Sequence, residues 1–280
     1  SARLFRMLAS LPVYPRFGTS PQAVQPVHVD DLAGIIVALV RGAGQAGKAG
    51  EAAGLAARRI AVTGPQALPL ASYLEALRAA MGLGALPVLT LPRPLMPAAL
   101  LAARVLGFAM PDRDTLRMLE RGNVADAAPA QRLLGRDLRP VSRFVTNPRG
   151  AALQARLDWL LPMLRLSIAL VWIATAVVSA GVYPVEASYR LLERSGMPAS
   201  LAPLLLAGAC LLDLLFGVAT LALRPPWRRW LWPAQAVLIG FYTVLIALRM
   251  PEFLWHPYGP LTKNLPMLAA LWLLHELEEE

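Results

Sequence analysis

The 280-residue chain is poor in the residues that build covalent or metal chemistry. It has one cysteine, Cys210, which excludes an intrachain disulfide and a cysteine-rich metal site. Cys210 lies in an apolar run and reads as a small hydrophobe. The three histidines, His28, His256 and His275, lie far apart and lack ligand spacing, so no metal site is expected. Lysine is nearly absent: Lys48 and Lys263 are the only two, and Tyr-x-x-x-Lys occurs nowhere. SARLFRMLAS at the start has no long apolar stretch and no cleavage signature, which argues against a signal peptide. Without an initiator Met, Ser1 reads as the start of a fragment or as a processed end.

Apolar residues, by contrast, are in excess. They make up 56% of the chain and the mean hydropathy is +0.50, above the usual apolar share of about 45–50% for a soluble domain. Part of the chain is therefore expected in lipid. The net charge of +9 is lopsided. Residues 1–159 hold 19 Lys+Arg against 10 Asp+Glu, and residues 160–280 hold 8 of each. The arginines stand singly, with no aromatic interleaving and no recognition motif, so a nucleic-acid partner is not expected. A basic face beside a membrane accounts for the bias.

The two halves differ in pattern. Before residue 145, short strand-like and helix-like pieces alternate. QPVHV (25–29) and RIAVT (59–63) read as strands, and Pro87–Pro92 as a short extended segment. Asp30 or Asp31 reads as the cap of a helix whose apolar residues Leu32, Ile35, Ile36, Leu39 and Val40 share one face. Leu70–Met81 reads as an amphipathic helix, Pro97–Leu106 as a helix, Asp112 or Asp114 as the cap of a short one, and Ala130–Gly135 as a last turn or two. Arg139–Gly150 looks like a linker, and the boundary segment is placed at 146–159. After it come Leu166–Val182 without a charge, Leu201–Leu223 with Asp213 alone, and Trp230–Leu248 without one. Each approaches or exceeds the length a bilayer needs. Leu265–Leu274 is a shorter fourth run, followed by HELEEE. Spans are expected at about 160–182, 201–223, 230–248 and 262–275. Arg149, Arg156, Arg165, Arg224, Arg228 and Arg229 then face the cytoplasm, and Trp227, Trp230, Trp232 and Trp255 lie near span ends.

GAGQAG, with Gly42, Gly44 and Gly47, matches the dinucleotide-binding spacing. That motif needs a strand leading in and a helix leading out. Here the expected order is reversed, and no acidic residue stands about 20 positions on to hold a ribose. Gly50 and Gly54 extend the run, so it reads as a linker. VTGP, Val62–Pro65, looks like a first Rossmann turn but lacks the later glycines.

Two residue sets are left as candidates. Asp213 is a carboxylate in mid-span, where charge is costly and marks function by default. It could be protonated, pair with a cation, or serve a proton or quinone site; it could equally be a structural tie between helices. Arg165 is its expected partner, since the two lie about 7 Å and about 16 Å from the same end at about 1.5 Å per residue. The other set is HPYGPLTKN, residues 256–264. His256, Tyr258 and Lys263 could form a polar mouth for a head group or quinone. The simpler reading makes Asn264 the N-cap of a helix with Pro266 in its first turn. His28 is expected to pack in or beside its strand, and His275 to lie at the membrane surface.

QPVHVDDLAGIIVALV resembles the late segment of an extended, epimerase-like short-chain dehydrogenase/reductase, through Val27, His28, Val29, Asp30, Asp31 and Ala33. RIAVTGPQALPLASYLEALRAAMG resembles that family's following strand and helix, so the likeness covers roughly residues 1–145. LLDLLFGVATL and HPYGPLTKNLPML, within residues 160–275, resemble the DoxX-like four-helix membrane domain. The resemblance implies an α/β remnant, the mostly helical C-terminal half of a Rossmann-type reductase, followed by an all-α four-helix transmembrane bundle. It implies a longer parent, an NAD(P)-dependent oxidoreductase of a bacterial inner membrane, whose missing half holds the nucleotide glycines and the catalytic Tyr and Lys. No catalytic or cofactor residue carries over to this chain, which alone is expected to be inactive. The alternative is a non-enzymatic DoxX-like membrane module, a scaffold or a binder of quinone or another apolar small molecule. The lipid bilayer is the partner expected in both cases.

Overall fold

The computed structural model describes residues 2–16, 23–44, 60–85, 88–90, 94, 124–257 and 259–278. The chain divides into two compact units, Ser1–Trp159 and Leu160–Glu280. The readings at Pro97–Leu106, Asp112, Asp114, Gly47 and Tyr258 lie outside the described residues.

In the first unit, α1 (Ala2–Ser10), β1 (Tyr14–Arg16), β2 (Ala23–Val24), α2 (Val29–Gly44), β3 (Leu68–Pro69), α3 (Leu70–Ala80), β4 (Val88–Thr90) and α4 (Ala128–Leu134) follow in order. β1 pairs with β4 in parallel, Tyr14 opposite Val88, and β2 pairs with β3 antiparallel, Val24 opposite Leu68. These are two separate two-stranded pieces, not a doubly wound sheet. The core gathers Ala9, Val24, Leu74, Leu77, Met81 and Val141, with Phe5 edge-on to Tyr73.

QPVHV and RIAVT are not strands. Only Ala23–Val24 pairs, and residues 60–64 have no regular structure. Gly64 explains why: its N–H donates to the Gln25 carbonyl at 3.2 Å, and Gln25 Nε2 donates to its oxygen at 2.7 Å. A Cβ there would lie 2.0 Å from the Pro26 carbonyl oxygen. The glycine of VTGP thus permits close backbone packing rather than a phosphate turn.

The predicted cap and face of α2 also shift. Asp30 and Asp31 stand in its first turn, where a helix dipole favours them, but their carboxylates reach elsewhere. Asp31, 0% exposed, accepts from Arg136 Nη2 at 2.6 Å and from the Arg139 backbone N–H at 2.8 Å. Asp30 pairs with Arg139, which also meets His28 Nδ1 at 3.0 Å, and His28 packs edge-on to Phe144. The helix therefore buries the side carrying Asp31 and Ile35, while Leu32, Ile36 and Val40 stay exposed. One buried ion cluster outranks the apolar periodicity.

The second unit begins within α5 (Pro148–Val177), so the expected linker at 146–159 is largely helical. A π-turn over Val178–Val182 closes α5. Then come α6 (Val185–Arg194), α7 (Ala202–Ala222), α8 (Pro225–Arg249) and α9 (Asn264–Glu278). The stretches Pro148–Val182, Ala199–Ala222 and Pro225–Arg249 are long and apolar enough to cross a membrane. α9, at 15 residues, is short of the roughly 20 a span needs. α6 had no counterpart in the expectations. Its charges, Glu186, Arg190, Glu193 and Arg194, break the apolar count, yet Val185, Tyr189 and Leu192 recur on a half-buried face. α7 lies so close to α5 that a Cβ on Gly217 would meet Ile173 Cγ1 at 2.5 Å and the Ala169 oxygen at 3.1 Å. Ile168, Trp172, Trp232, Ile239, Leu271 and Leu274 fill the middle.

Burial opposes charge on Asp31, but the Arg139 N–H and the Arg136 guanidinium more than offset it and hold the carboxyl below its ordinary value. A depressed carboxyl stabilises the folded state above its unfolded value and loses that contribution as pH falls through the folded one. Acid should therefore loosen this unit below about pH 4, read by circular dichroism of the full chain. Asp31→Asn should cost about 2 kcal/mol at neutral pH and speed deuterium exchange in α2.

Candidate functional site

Three tiers of polar side chains run through the interior of the second unit. At one end, Glu278 on the last turn of α9 accepts from Arg165 Nε, from Arg228 Nε at 2.7 Å and from Trp232 Nε1 at 3.3 Å. Arg228 Nη1 also donates to the Leu223 carbonyl at 3.2 Å, satisfying the C-terminal end of α7. One carboxylate thus ties α5, α8 and α9.

Seven residues along α5 from Arg165, and seven along α8 from Arg228, lie Trp172 and Gln235. Trp172 Nε1 donates to Gln235 Oε1 at 2.9 Å, and Gln235 Nε2 donates to Thr220 Oγ1 at 2.8 Å on α7. Thr220 in turn donates to the Phe216 carbonyl at 2.8 Å. Gln235 is fully buried, so its amide has both ends satisfied inside the protein.

A further seven residues along α7 and α8 bring Asp213 and Tyr242. Asp213 is 7% exposed, while its neighbours Leu211, Leu214 and Leu215 face outward. It has no hydrogen bond or ion pair among the described residues. The expected Arg165–Asp213 pair does not form: Arg165 is held by Glu278 instead. The two lie two polar tiers apart, about 21 Å along the bundle at about 1.5 Å per residue, and α9 returns the Glu278 carboxylate to the Arg165 end.

The described residues of HPYGPLTKN form a turn closed by its own backbone. His256 and Lys263 are exposed, and Tyr258 lies outside the described residues. The Gly259 N–H donates to the His256 carbonyl at 2.8 Å, and the Lys263 N–H donates to the Gly259 carbonyl at 3.1 Å, which folds the turn on itself. His256 packs against Phe253. Asn264 does start α9, but its amide donates to Thr243 Oγ1 at 2.8 Å on α8 rather than capping its own helix. At the same end, Arg194 pairs with Glu252, linking α6 to the turn after α8. Among the described residues, no three of His, Cys, Asp and Glu could share a metal ion.

Sequence reasoning found Asp213 because a charge stands out in an apolar run. It missed Gln235, Thr220 and Trp172, which carry no charge, although their seven-residue offsets from Asp213, Tyr242, Arg165 and Arg228 were readable. Gln235→Leu should destabilise the bundle by about 1–2 kcal/mol, since it leaves Trp172 Nε1 without its acceptor and removes the amide that donates to Thr220 Oγ1. Reversible unfolding in mixed micelles measures this, and Gln235→Glu should be no milder.

Residues 169–272 match the DoxX-like family. No curated protein and no solved structure matches the chain. The match covers α7 and α8 entirely, with most of α5's apolar part and of α9. It does not extend to the first unit, where the reductase likeness lay. The segment 169–272 is a DoxX-like domain made of membrane-compatible helices.

Proposed function

We propose that the chain works as a membrane module whose bundle holds an apolar small molecule, with Asp213 as its polar anchor. The observation that supports this is Asp213 itself: a carboxylate turned away from the lipid-facing leucines and given no partner among the described residues. Such a group is costly at bilayer depth, whereas the Trp172–Gln235–Thr220 tier below it is hydrogen-bonded within the protein. A ligand carrying a hydroxyl or a positive charge would complete the site, its apolar body lying among α7 and α8. A hydroxylated ring such as a quinol suits both demands. Asp213 accepts the ligand's proton or hydrogen bond, Tyr242 stands alongside, and the turn carrying His256 and Lys263 forms the polar rim. The positive-inside rule turns the end bearing Arg224, Arg228 and Arg229 toward the cytoplasm of a bacterial inner membrane.

A second reading keeps the first unit as the C-terminal part of an NAD(P)-dependent reductase. It draws support from the parallel β1–β4 pair, whose connection runs over the intervening helices as in α/β folds. Under it, DoxX-like helices anchor a catalytic lobe, and nucleotide and catalytic residues belong to the parent rather than to this chain.

Titration of the purified chain with decylubiquinol and decylubiquinone, read by tryptophan quenching, separates these. The module reading predicts saturable quinol binding that Asp213→Asn weakens about tenfold, the value of one charge-assisted hydrogen bond, with an unchanged circular dichroism spectrum. Equal binding by wild type and variant counts against Asp213 as the anchor. Tight NADPH binding by this chain alone would overturn the placement of the nucleotide site in a parent.

A further inference from the structure

Among the described residues, the Arg165–Glu278–Arg228 cluster carries one carboxylate for two guanidinium groups. Glu278, its side chain 5% exposed, spends both oxygens on Arg165, Arg228 and Trp232. Arg228 is 11% exposed and its Nη1 donates to the Leu223 carbonyl. The Nη1 and Nη2 groups of Arg165 have no acceptor among the described residues, and its side chain is 23% exposed. Glu276 does not balance the surplus: it lies two residues before Glu278, about 200° around the helix, and is exposed. A half-desolvated positive charge without a counter-ion is unfavourable.

The depth of the cluster narrows the choice of counter-ion. The uncharged run Leu166–Val182 begins at the residue after Arg165, and Trp230–Leu248 begins two residues after Arg228. Trp227 and Trp230 at this end are 71% and 64% exposed, with the Arg229 guanidinium 5.2 Å from the Trp230 ring centroid. Aromatic residues of this kind lie at lipid head-group level.

We infer that Arg165, backed by Arg228 and trimmed by Glu278, binds the phosphate of an anionic lipid head group. Glu278 orients both guanidinium groups and consumes one of their charges, and the lipid phosphate takes the other. The acyl chains run beside α5, which a free phosphate ion could not exploit.

The test compares the full chain in nanodiscs of phosphatidylcholine alone and of equal parts phosphatidylcholine and phosphatidylglycerol, at matched ionic strength. The melting temperature should be higher in the mixed nanodiscs, and native mass spectrometry should show co-purified phosphatidylglycerol enriched about fivefold over phosphatidylcholine. Arg165→Gln should abolish both effects. Glu278→Gln should enlarge them, because it removes the carboxylate and leaves both guanidinium groups. That opposite sign separates a binding role from a merely structural one, and it remains decisive if Arg165→Gln does not fold. Equal melting temperatures in the two lipids, or a Glu278→Gln variant with no greater preference than wild type, overturns the inference. So does inorganic phosphate alone reproducing the shift in phosphatidylcholine nanodiscs.

Discussion

Inside a bilayer a polar side chain has no water to fall back on, and the second unit is arranged around that constraint. Glu278 shows it most fully. Without it, Arg165 and Arg228 would be two like charges at the edge of the hydrocarbon region, and Trp232 would bury an unmatched N–H. With it, the C-terminal helix is fixed to α5 and α8 at one end, while Asn264 and Thr243 hold α9 to α8 at the other. Between them, Trp172, Gln235 and Thr220 join α5, α8 and α7. A helix advances about 10.5 Å in seven residues, so these polar tiers repeat at two-turn intervals along the bundle. Large apolar side chains stand on the outside instead, among them Leu204, Leu211, Val218, Val237, Phe241 and Leu248. Asp213 is the tier that the described residues leave incomplete, and the proposed ligand would complete it.

The sequence made some of this readable and hid the rest for physical reasons. Three spans could be read from run length, because lipid demands about 20 apolar residues of any helix that crosses it. Asp213 could be read because nothing else near it is charged. Glu278 could not: HELEEE reads as a solvated tail, and only the arrival of α9 beside Arg165 and Arg228 gives one of its four glutamates a buried role. α6 was obscured by its four charges, although its apolar residues keep helical spacing. The Arg165–Asp213 pairing failed because Arg165 lies level with Arg228 and Glu278 at the end of the bundle, two tiers from Asp213.

In the first unit, local signals were overruled by single close contacts. The Leu70–Met81 periodicity held, since Tyr73, Leu74 and Leu77 all face the core. The strand-like runs did not, because Gly64 packs its backbone onto Pro26 and because Asp31 draws Arg136 and Arg139 onto α2. Those same glycine and aspartate positions had suggested nucleotide binding and helix capping. Both turn out to serve packing. The Gly42–Gly44 end of the glycine run belongs to the end of a helix, an orientation opposite to the one a dinucleotide fingerprint uses.

The central claim is that α7 spans lipid with Asp213, Gly217 and Thr220 turned inward. It is tested most directly by spin labels placed singly from 210 to 221 on a cysteine-free background, in liposomes, reading collision with oxygen and with a water-soluble nickel complex. The account predicts oxygen maxima at 211, 214, 215, 218 and 221 and minima at 213, 217 and 220, with nickel access low throughout. Uniform oxygen access, or strong nickel access along one face, would contradict it.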